Sequence, residues 1–330
     1  MTIIGRKIVS RKIENLRPDN FIKEVSLKDF YDKRNKILII RSCGGLGDIL
    51  MHRMIFEDFK ISMPEAEIHF ACPKYYHDAL SDHPFIDKIL DINDFDKNDY
   101  LISYNTSTAC GRMEVKLSPS YGPHRSDIWA NHCGLTLTKH NMHINLSESE
   151  INQAKKIIEE NNIFGKSKVA ICPVSSMRHK NLTEPVLVGL YEKLKENNFD
   201  PFCLNDSPIN ECYKNDIPLI EEKKIRIWMA ILYLSDYVIT VDTASLHLAG
   251  GLNKPTVGIF TFANGETYSK YYENTEIVQG GCPFNFNGCY NWGSCPEFSD
   301  SILLPCCKNL NFMQIFNKFT NLLERFPVSL

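Results

Sequence analysis

The stretch Tyr237–Phe260 constrains the fold of this chain more than any other. It opens with the β-branched and aromatic run Y-V-I-T-V, which is typical of a buried strand. Asp242 and Thr243 follow, and their short side-chain oxygens suit the N-terminus of a helix. Four apolar residues then form the apolar side of a short predicted helix, which ends at a pair of glycines. Thr256–Phe260 is a second apolar strand. This order of elements, in about the minimum length for a parallel crossover, predicts a βαβ unit.

The rest of the chain alternates strand-like and helical segments in the same way. A first group of strands is predicted at Lys36–Arg41, Glu67–Cys72, Lys88–Ile92 and Tyr100–Tyr104, and a helix is predicted to continue from Ile49 to Phe59. A second group is predicted at Lys168–Pro173, Pro201–Leu204, Ile217–Ile220, Tyr237–Val241 and Thr256–Phe260. Such alternation predicts parallel sheets with helices on both faces. The expected fold class is therefore α/β, with two Rossmann-like parallel-sheet domains.

The domain boundaries follow from length and from one helix signal. A chain of 330 residues is long enough for two domains. Ser147 and Glu150 have the spacing of a capping box, which begins a helix over Ile151–Asn161 and marks the boundary. We expect an extension over 1–35, a first domain over 36–150, a second over 151–310 that includes a cysteine-rich segment at 282–307, and an amphipathic C-terminal helix within 311–330.

Composition excludes several function classes. The chain is 43% hydrophobic and 23% charged, with a formal net charge of −3, which argues against bulk electrostatic binding to nucleic acid. No apolar run is long enough to cross a membrane, and the first residues lack the apolar core of a signal peptide. We therefore expect a cytoplasmic protein.

The cysteines form a separate pattern. Twelve are present, and five of them crowd between Cys282 and Cys307. In a reducing compartment a local cluster suggests a metal before disulfides. We predict one structural zinc or iron held by Cys282, Cys289, Cys295 and one of the adjacent pair, taken as Cys306. The alternative is that these thiols are reduced packing residues.

Three motifs together resemble glycosyltransferase family nine, the lipopolysaccharide heptosyltransferase family. The run D-T-A-S-L-H-L-A-G-G-L-N-K-P-T-V from Asp242 onward is similar to the nucleotide-binding signature of that family, with Ala244 where glycine is usual. G-G-L-G-D, ending at Asp48, is similar to its N-terminal motif. C-P-V-S-S-M-R-H-K-N-L-T is similar to the loop after the first strand of its second domain, with Leu182 where an aromatic is usual.

The resemblance implies GT-B architecture, in which two α/β domains face a cleft and the C-terminal helix often returns to the first domain. It implies that the second domain holds a nucleotide-diphosphate sugar, ADP-heptose being the family's donor, and that catalysis needs no divalent metal. Protein groups must then neutralise the leaving diphosphate, and hydroxyls, a lysine and helix N-terminal N–H groups suit that task. The predicted donor-binding residues are Ser175, Ser176, Lys180, Asp242, Thr243, Ala244 and His247.

The resemblance places the acceptor, a glycan or another hydroxyl compound, at the first domain. An acceptor hydroxyl has a pKa far above neutral, so a positioned base must take its proton, and Asp48 is the predicted base. The alternative for Asp48 is a helix-capping role. Gly45, Gly47, His124 and Arg125 are predicted on the acceptor side, although Ser126 or Asp127 could cap the helix that follows.

The predicted reaction is a single displacement with inversion at the anomeric carbon. Two other function classes stay open at this point. A nucleotide-sugar epimerase would use the same architecture without an acceptor. A non-catalytic nucleotide-sugar or carbohydrate-binding protein would keep the motifs of the second domain and lose the base.

Overall fold

The computed structural model describes residues 35–117, 122–165, 167–205, 217–261, 263–281 and 305–327 and, in addition, three short strands near the N-terminus. Those strands are β1 (Thr2–Ile4), β2 (Lys7–Val9) and β3 (Phe21–Ile22). The chain divides into two compact units, one comprising Met1–Glu114 and Pro123–Asn145, the other Val115–Gly122 and Leu146–Leu330. Among the described residues no helix has the length and apolarity to cross a membrane.

The first unit is built on one sheet. Its parallel strands are β4 (Lys36–Ile40), β5 (Glu67–Cys72), β6 (Lys88–Asp91) and β7 (Ile102–Asn105), in the order β7-β4-β5-β6, and β3 adds an antiparallel edge beside β7. Its helices are α1 (Leu46–His52), α2 (Phe56–Ser62), α3 (Ala109–Leu117), which ends in the second unit, and α4 (Arg125–His132). The central strand β4 is buried from its second residue onward, as its apolar run K-I-L-I-I predicts.

The second unit contains a six-stranded parallel sheet. Its strands are β8 (Lys168–Cys172), β9 (Asp200–Asn205), β10 (Leu219–Glu221), β11 (Tyr237–Val241), β12 (Thr256–Phe260) and β13 (Thr275–Gln279), in the order β10-β9-β8-β11-β12-β13. Its helices are α5 (Glu148–Glu160), α6 (Glu184–Glu196), α7 (Ile225–Leu234), α8 (Ala244–Gly251), α9 (Gly265–Tyr268), α10 (Pro305–Lys308) and α11 (Phe312–Arg325). Side chains of β8, β11, β12, α6 and α11 form one large apolar core.

The structure confirms the predicted parallel-sheet fold class. Strands β5, β11 and β12 have the predicted bounds, and the Ser147–Glu150 capping box begins α5 with both of its hydrogen bonds made. Cys72, Cys172 and Cys203 are buried strand residues, as their apolar surroundings indicate. Strand β13 was not predicted, because its short run T-E-I-V-Q pairs at the edge of the sheet and is only partly buried.

Three local predictions were wrong. The helix predicted to continue from Ile49 to Phe59 begins at Leu46 and is interrupted by a 3-10 turn at Arg53–Ile55. Thr243 occupies the N-cap position of α8, but its side chain makes no capping hydrogen bond. The C-terminal helix, expected from the architecture to return to the first domain, packs on α6, β12 and β13 of the second unit, because its apolar side completes their core.

Candidate functional site

The residues predicted to bind the sugar donor lie in the second unit, at the point where the strand order of its sheet reverses. In chain order its six strands lie as 3-2-1-4-5-6, so β8 continues toward β9 on one side while β11 continues toward β12 on the other. Strands β8 and β11 are parallel neighbours, and their carboxyl ends leave a crevice between diverging loops. Ligands of open α/β sheets bind in this crevice.

Lys180 and Asp242 meet at this crevice. The Lys180 ammonium nitrogen lies 2.8 Å from Asp242 Oδ2, and the two side chains are only 13% and 6% exposed. Lys180 ends a 3-10 turn in the loop after β8, and Asp242 directly follows β11. The structure therefore brings together two predicted residues that are far apart in the sequence.

The loop after β8, residues 173–182, is ordered by its own hydrogen bonds. The Ser175 N–H donates to Asn181 Oδ1 at 2.8 Å, and the Ser175 hydroxyl donates to the Met177 carbonyl at 3.0 Å. The Leu182 N–H returns to the Pro173 carbonyl, and the Leu182 side chain is buried in the core. Ser176 lies exposed on this loop.

Helix α8 directs its N-terminus to the same edge of the sheet. Thr243 is extended, and the helix begins at Ala244. His247 lies one turn further on, is buried, and has its Nδ1 2.8 Å from the Tyr272 hydroxyl. Burial, together with the nearby charge of Asp242, raises the pKa of Tyr272 well above its usual value, so the hydroxyl keeps its proton. Sequence reasoning missed Tyr272, because no local pattern connects it to His247.

The first unit has a corresponding site at the ends of β4 and β7. Asp48 is the third residue of α1, and its Oδ2 accepts a hydrogen bond from the Gly45 N–H at 3.1 Å. The same Oδ2 lies 3.1 Å from Arg41 Nη2, while Oδ1 accepts from Arg125 Nη1 at 2.8 Å. Asp48 thus helps to cap the N-terminus of α1 and also forms ion pairs with two arginines. Gly47 is the second residue of α1.

The arginines determine the charge state of Asp48. Burial by itself would raise the pKa of this carboxyl, but the Arg125 and Arg41 guanidiniums, His52 and the Gly45 N–H outweigh it and lower the pKa to about 2. His52, at the back of the site, is buried against Trp129 at a ring distance of 3.7 Å. Burial and the charge of Arg41 lower its pKa to about 3, so the imidazole is neutral at physiological pH.

Two residues outside the predicted set, Glu114 and Arg41, complete this site. Arg125 makes a two-point contact with Glu114, with Nε–Oε1 and Nη2–Oε2 distances of 2.8 and 3.1 Å. Arg41 donates from Nη1 to the Thr106 and Ser107 carbonyls, both at 3.0 Å, which ties β4 to the loop after β7. In the sequence, Arg41 could have been recognised as a charged residue at the end of an apolar strand, directly before a glycine turn.

The turn before Asp48 requires glycine at position 44. Gly44 has φ +107°, and a Cβ there would lie 2.3 Å from Asp48 Oδ2 and 2.6 Å from Arg41 Nη2. A side chain at this position would be strained and would collide with the ion pair. Glycine at position 44 therefore allows the backbone to lie close to the charged side chains of Asp48 and Arg41. Gly45 lies exposed on the turn.

His124 and Arg125 have local structural roles at the start of α4. His124, rather than Ser126 or Asp127, is the N-cap of α4, and its Nδ1 accepts from the Ser126 N–H at 3.2 Å. Its side chain is fully buried, so it lies inside the fold. Arg125 is directed to Asp48 and Glu114. The predicted pair therefore caps α4 and holds Asp48.

Of the four predicted metal ligands, Cys282, Cys289 and Cys295 lie outside the described residues, and Cys306 lies within them. Cys306 and Cys307 are both buried on the helical turn α10. A hydrogen bond with Cys307, together with burial, raises the pKa of the Cys306 thiol. Within the part of the chain that is described, no three His, Cys, Asp or Glu side chains group as metal ligands would.

Comparison with known proteins agrees with this geometry. Residues 126–283, just under half of the chain, match the family model of glycosyltransferase family 9 (heptosyltransferase). The matched range includes Lys180, Asp242 and His247 and does not reach Asp48. No match was found among curated proteins.

Solved structures share the fold at low sequence identity. A glycosyl transferase family 9 structure from Veillonella parvula is 12% identical with a TM-score of 0.67, over 89% of this chain and 98% of that one. The ADP-heptose lipopolysaccharide heptosyltransferase II of Escherichia coli is 12% identical with a TM-score of 0.57, over 88% and 99%. The iron-containing heptosyltransferase TibC of enterotoxigenic E. coli is 14% identical with a TM-score of 0.67, over 92% and 80%. The two parallel-sheet units are those of the GT-B fold.

Proposed function

We propose that this protein, a glycosyltransferase with a family 9 domain, transfers a sugar from a nucleotide-diphosphate donor to an acceptor hydroxyl with inversion. The observation that carries the proposal is the pairing of Lys180 with Asp242 at the switch point of the second unit. ADP-heptose is the proposed donor, since two of the similar structures are named for ADP-heptose. The acceptor is proposed only as a hydroxyl compound, such as a glycan.

Lys180 is proposed to neutralise the donor diphosphate. An ammonium group has three N–H donors, so it can keep its contact with Asp242 and still donate to a phosphate oxygen. The N-terminal N–H groups of α8 and the hydroxyls of Ser175, Ser176 and Thr243 would add donors to the same anion. Asp242 holds the lysine in place before the donor arrives, so less side-chain freedom is lost on binding.

His247 is proposed to act as a donor to the same diphosphate. Tyr272 keeps its proton, and when it donates to His247 Nδ1 the single proton of the neutral ring lies on Nε2. That tautomer presents an N–H, which suits a phosphate oxygen. The contact with Tyr272 would therefore determine the chemical character of His247.

Asp48 is proposed to take the acceptor proton. The acceptor oxygen forms a bond to the anomeric carbon, the bond from that carbon to the phosphate oxygen breaks, and the nucleotide diphosphate leaves with the electron pair. The acceptor proton passes to an Asp48 oxygen. With a pKa of about 2, Asp48 is ionised at physiological pH but weakly basic, so proton transfer must come late, when the attacking oxygen has become strongly acidic.

The test of the donor site compares binding of ADP and of adenosine by calorimetry. Lys180→Ala should weaken binding of ADP about tenfold or more and leave adenosine nearly unchanged, because the variant removes one charge-assisted contact to phosphate. Lys195→Ala, which changes an exposed lysine of α6, is the control. Equal loss for both ligands would argue against a phosphate contact.

The test of catalysis is transfer from ADP-heptose by wild type and by Asp48→Asn. The variant should bind ADP as wild type does and lose most of its transfer. Unchanged turnover with saturating acceptor would remove Asp48 from the mechanism. Donor binding without transfer to any acceptor would favour the non-catalytic nucleotide-sugar-binding alternative.

A structural metal at Cys282, Cys289, Cys295 and Cys306 is proposed as a separate property of the second unit. Cys306 is the one of the four whose position is known, and a buried thiol on a helical turn suits a closed site with four sulfur ligands. Bound metal would stabilise the segment and keep those thiols deprotonated. Elemental analysis of protein purified without a metal column should find about one equivalent of zinc or iron. Less than about a tenth of an equivalent in folded protein would refute the site.

A further inference from the structure

The loop that carries Lys180 is held from outside by a residue near the C-terminus. The Cys307 thiol donates to the His179 carbonyl, with 2.8 Å between sulfur and oxygen, across 128 residues of sequence. Cys307 is buried, so water competes little for that contact. His179 is directly followed by Lys180, whose ammonium group is at the proposed diphosphate site.

The position of Cys307 is set independently of the loop. Asn309 Nδ2 donates to the Gly281 carbonyl at 2.9 Å, just beyond the end of β13. Helix turn α10 also packs closely on Gly280, where a Cβ would lie 2.4 Å from the Cys306 carbonyl oxygen. The turn is therefore fixed just beyond the end of β13, at the same edge of the parallel sheet as the loop after β8.

The contact acts on the peptide group that leads into Lys180. The His179 carbonyl and the Lys180 N–H belong to one planar unit, and that N–H donates to the Met177 carbonyl at 2.9 Å. Ser175 and Asn181 hold the base of the loop, whereas Cys307 holds its far end. A fixed peptide plane limits the position of the Lys180 Cα, from which the side chain extends.

We propose that Cys307 is a positioning residue of the donor site, whose thiol holds the His179–Lys180 peptide so that Lys180 is in place for the diphosphate. The proposal rests on the proposed function of Lys180.

The test measures ADP and adenosine binding by calorimetry, with UDP and uridine as the second pair, on three variants. Cys307→Ala should weaken diphosphate binding about fivefold, the effect of one hydrogen bond, and leave nucleoside binding unchanged. Cys307→Ser should restore most of the affinity, because a hydroxyl also donates to a carbonyl. Cys203→Ala, which changes a buried cysteine of β9 in the same unit, should bind like wild type.

Gly280→Ala perturbs the same support and leaves Cys307 unchanged. Its Cβ would displace α10, so it should also lower affinity for ADP more than for adenosine. ADP affinity equal to wild type in Cys307→Ala, or affinity in Cys307→Ser as low as in Cys307→Ala, would overturn the proposal.

Hydrogen exchange without ligand separates this inference from the proposed function. Peptides covering 177–182 should exchange faster in Cys307→Ala than in wild type or Cys203→Ala, since the loop loses its outside support. Unchanged exchange there would overturn the positioning role. If wild type binds neither ADP nor UDP, the proposed donor site fails, and the exchange experiment still decides whether Cys307 orders the loop.

Discussion

Replacing Asp48 by asparagine tests the electrostatic account of the first unit. Asparagine imitates the protonated acid, so the variant loses what the folded protein gains from ionising this group. The pKa of Asp48 falls from 3.8 to about 2, and each pKa unit corresponds to about 1.4 kcal/mol. The side chain is 11% exposed, so little of this is screened by solvent. At pH 7 the first unit should lose about 2 kcal/mol of unfolding free energy.

The dependence on pH follows from the sign of the shift. A lowered folded-state pKa means that the stabilisation is complete above about pH 5 and is lost as pH falls from about 4 through 2. The difference between wild type and Asp48→Asn should therefore be constant from pH 7 to 5 and shrink in acid. Above pH 5 the ion pairs with Arg41 and Arg125 are intact in wild type, so no change is expected there.

The assay is urea unfolding at pH 7, 5, 4 and 3. Hydrogen-exchange mass spectrometry of peptides from 36–60 assigns the transition to the first unit, because two units need not unfold together. Asp94→Asn, a change at an exposed turn residue, is the control and should cost less than about 0.5 kcal/mol. A loss below about 0.5 kcal/mol at pH 7 in Asp48→Asn, or a loss that stays the same at pH 3, would show that the two arginines do not stabilise the fold through the Asp48 charge.

Three further predictions concern single side chains. Tyr272→Phe removes the hydroxyl beside His247 and should weaken ADP binding about threefold to tenfold in calorimetry, with adenosine binding unaffected. An unchanged ratio of ADP affinity to adenosine affinity would show that Tyr272 does not support the donor site. Gly250→Ala places a Cβ 2.4 Å from the Tyr272 ring and should lower the melting temperature, because the buried ring must move. Gly111→Ala, in α3 with open space around it, should instead stabilise the protein by up to about 1 kcal/mol, and a lower melting temperature would contradict this.

The local course of the chain followed from its sequence. Strands β11 and β12 were predicted at the right residues, and α5 begins with the predicted capping box, because a continuous apolar run and a capping box each act over a few neighbouring residues. The contact between Lys180 and Asp242 was anticipated as well. Two motifs that each follow a strand of one parallel sheet must end at the same edge, so the fold class already implied their approach.

The partners of the site residues came only from the tertiary structure. Arg41 and Arg125 approach Asp48 from the end of β4 and the start of α4, and Cys307 reaches His179 from the far end of the chain. No local pattern encodes such pairs, because the strand order and the packing of α10 on Gly280, just beyond β13, decide which distant residues meet. The sequence therefore determined which groups carry charge and which segments form strands and helices. The fold alone determined the pKa of Asp48 and the support of Lys180, since both depend on burial and on neighbours distant in sequence.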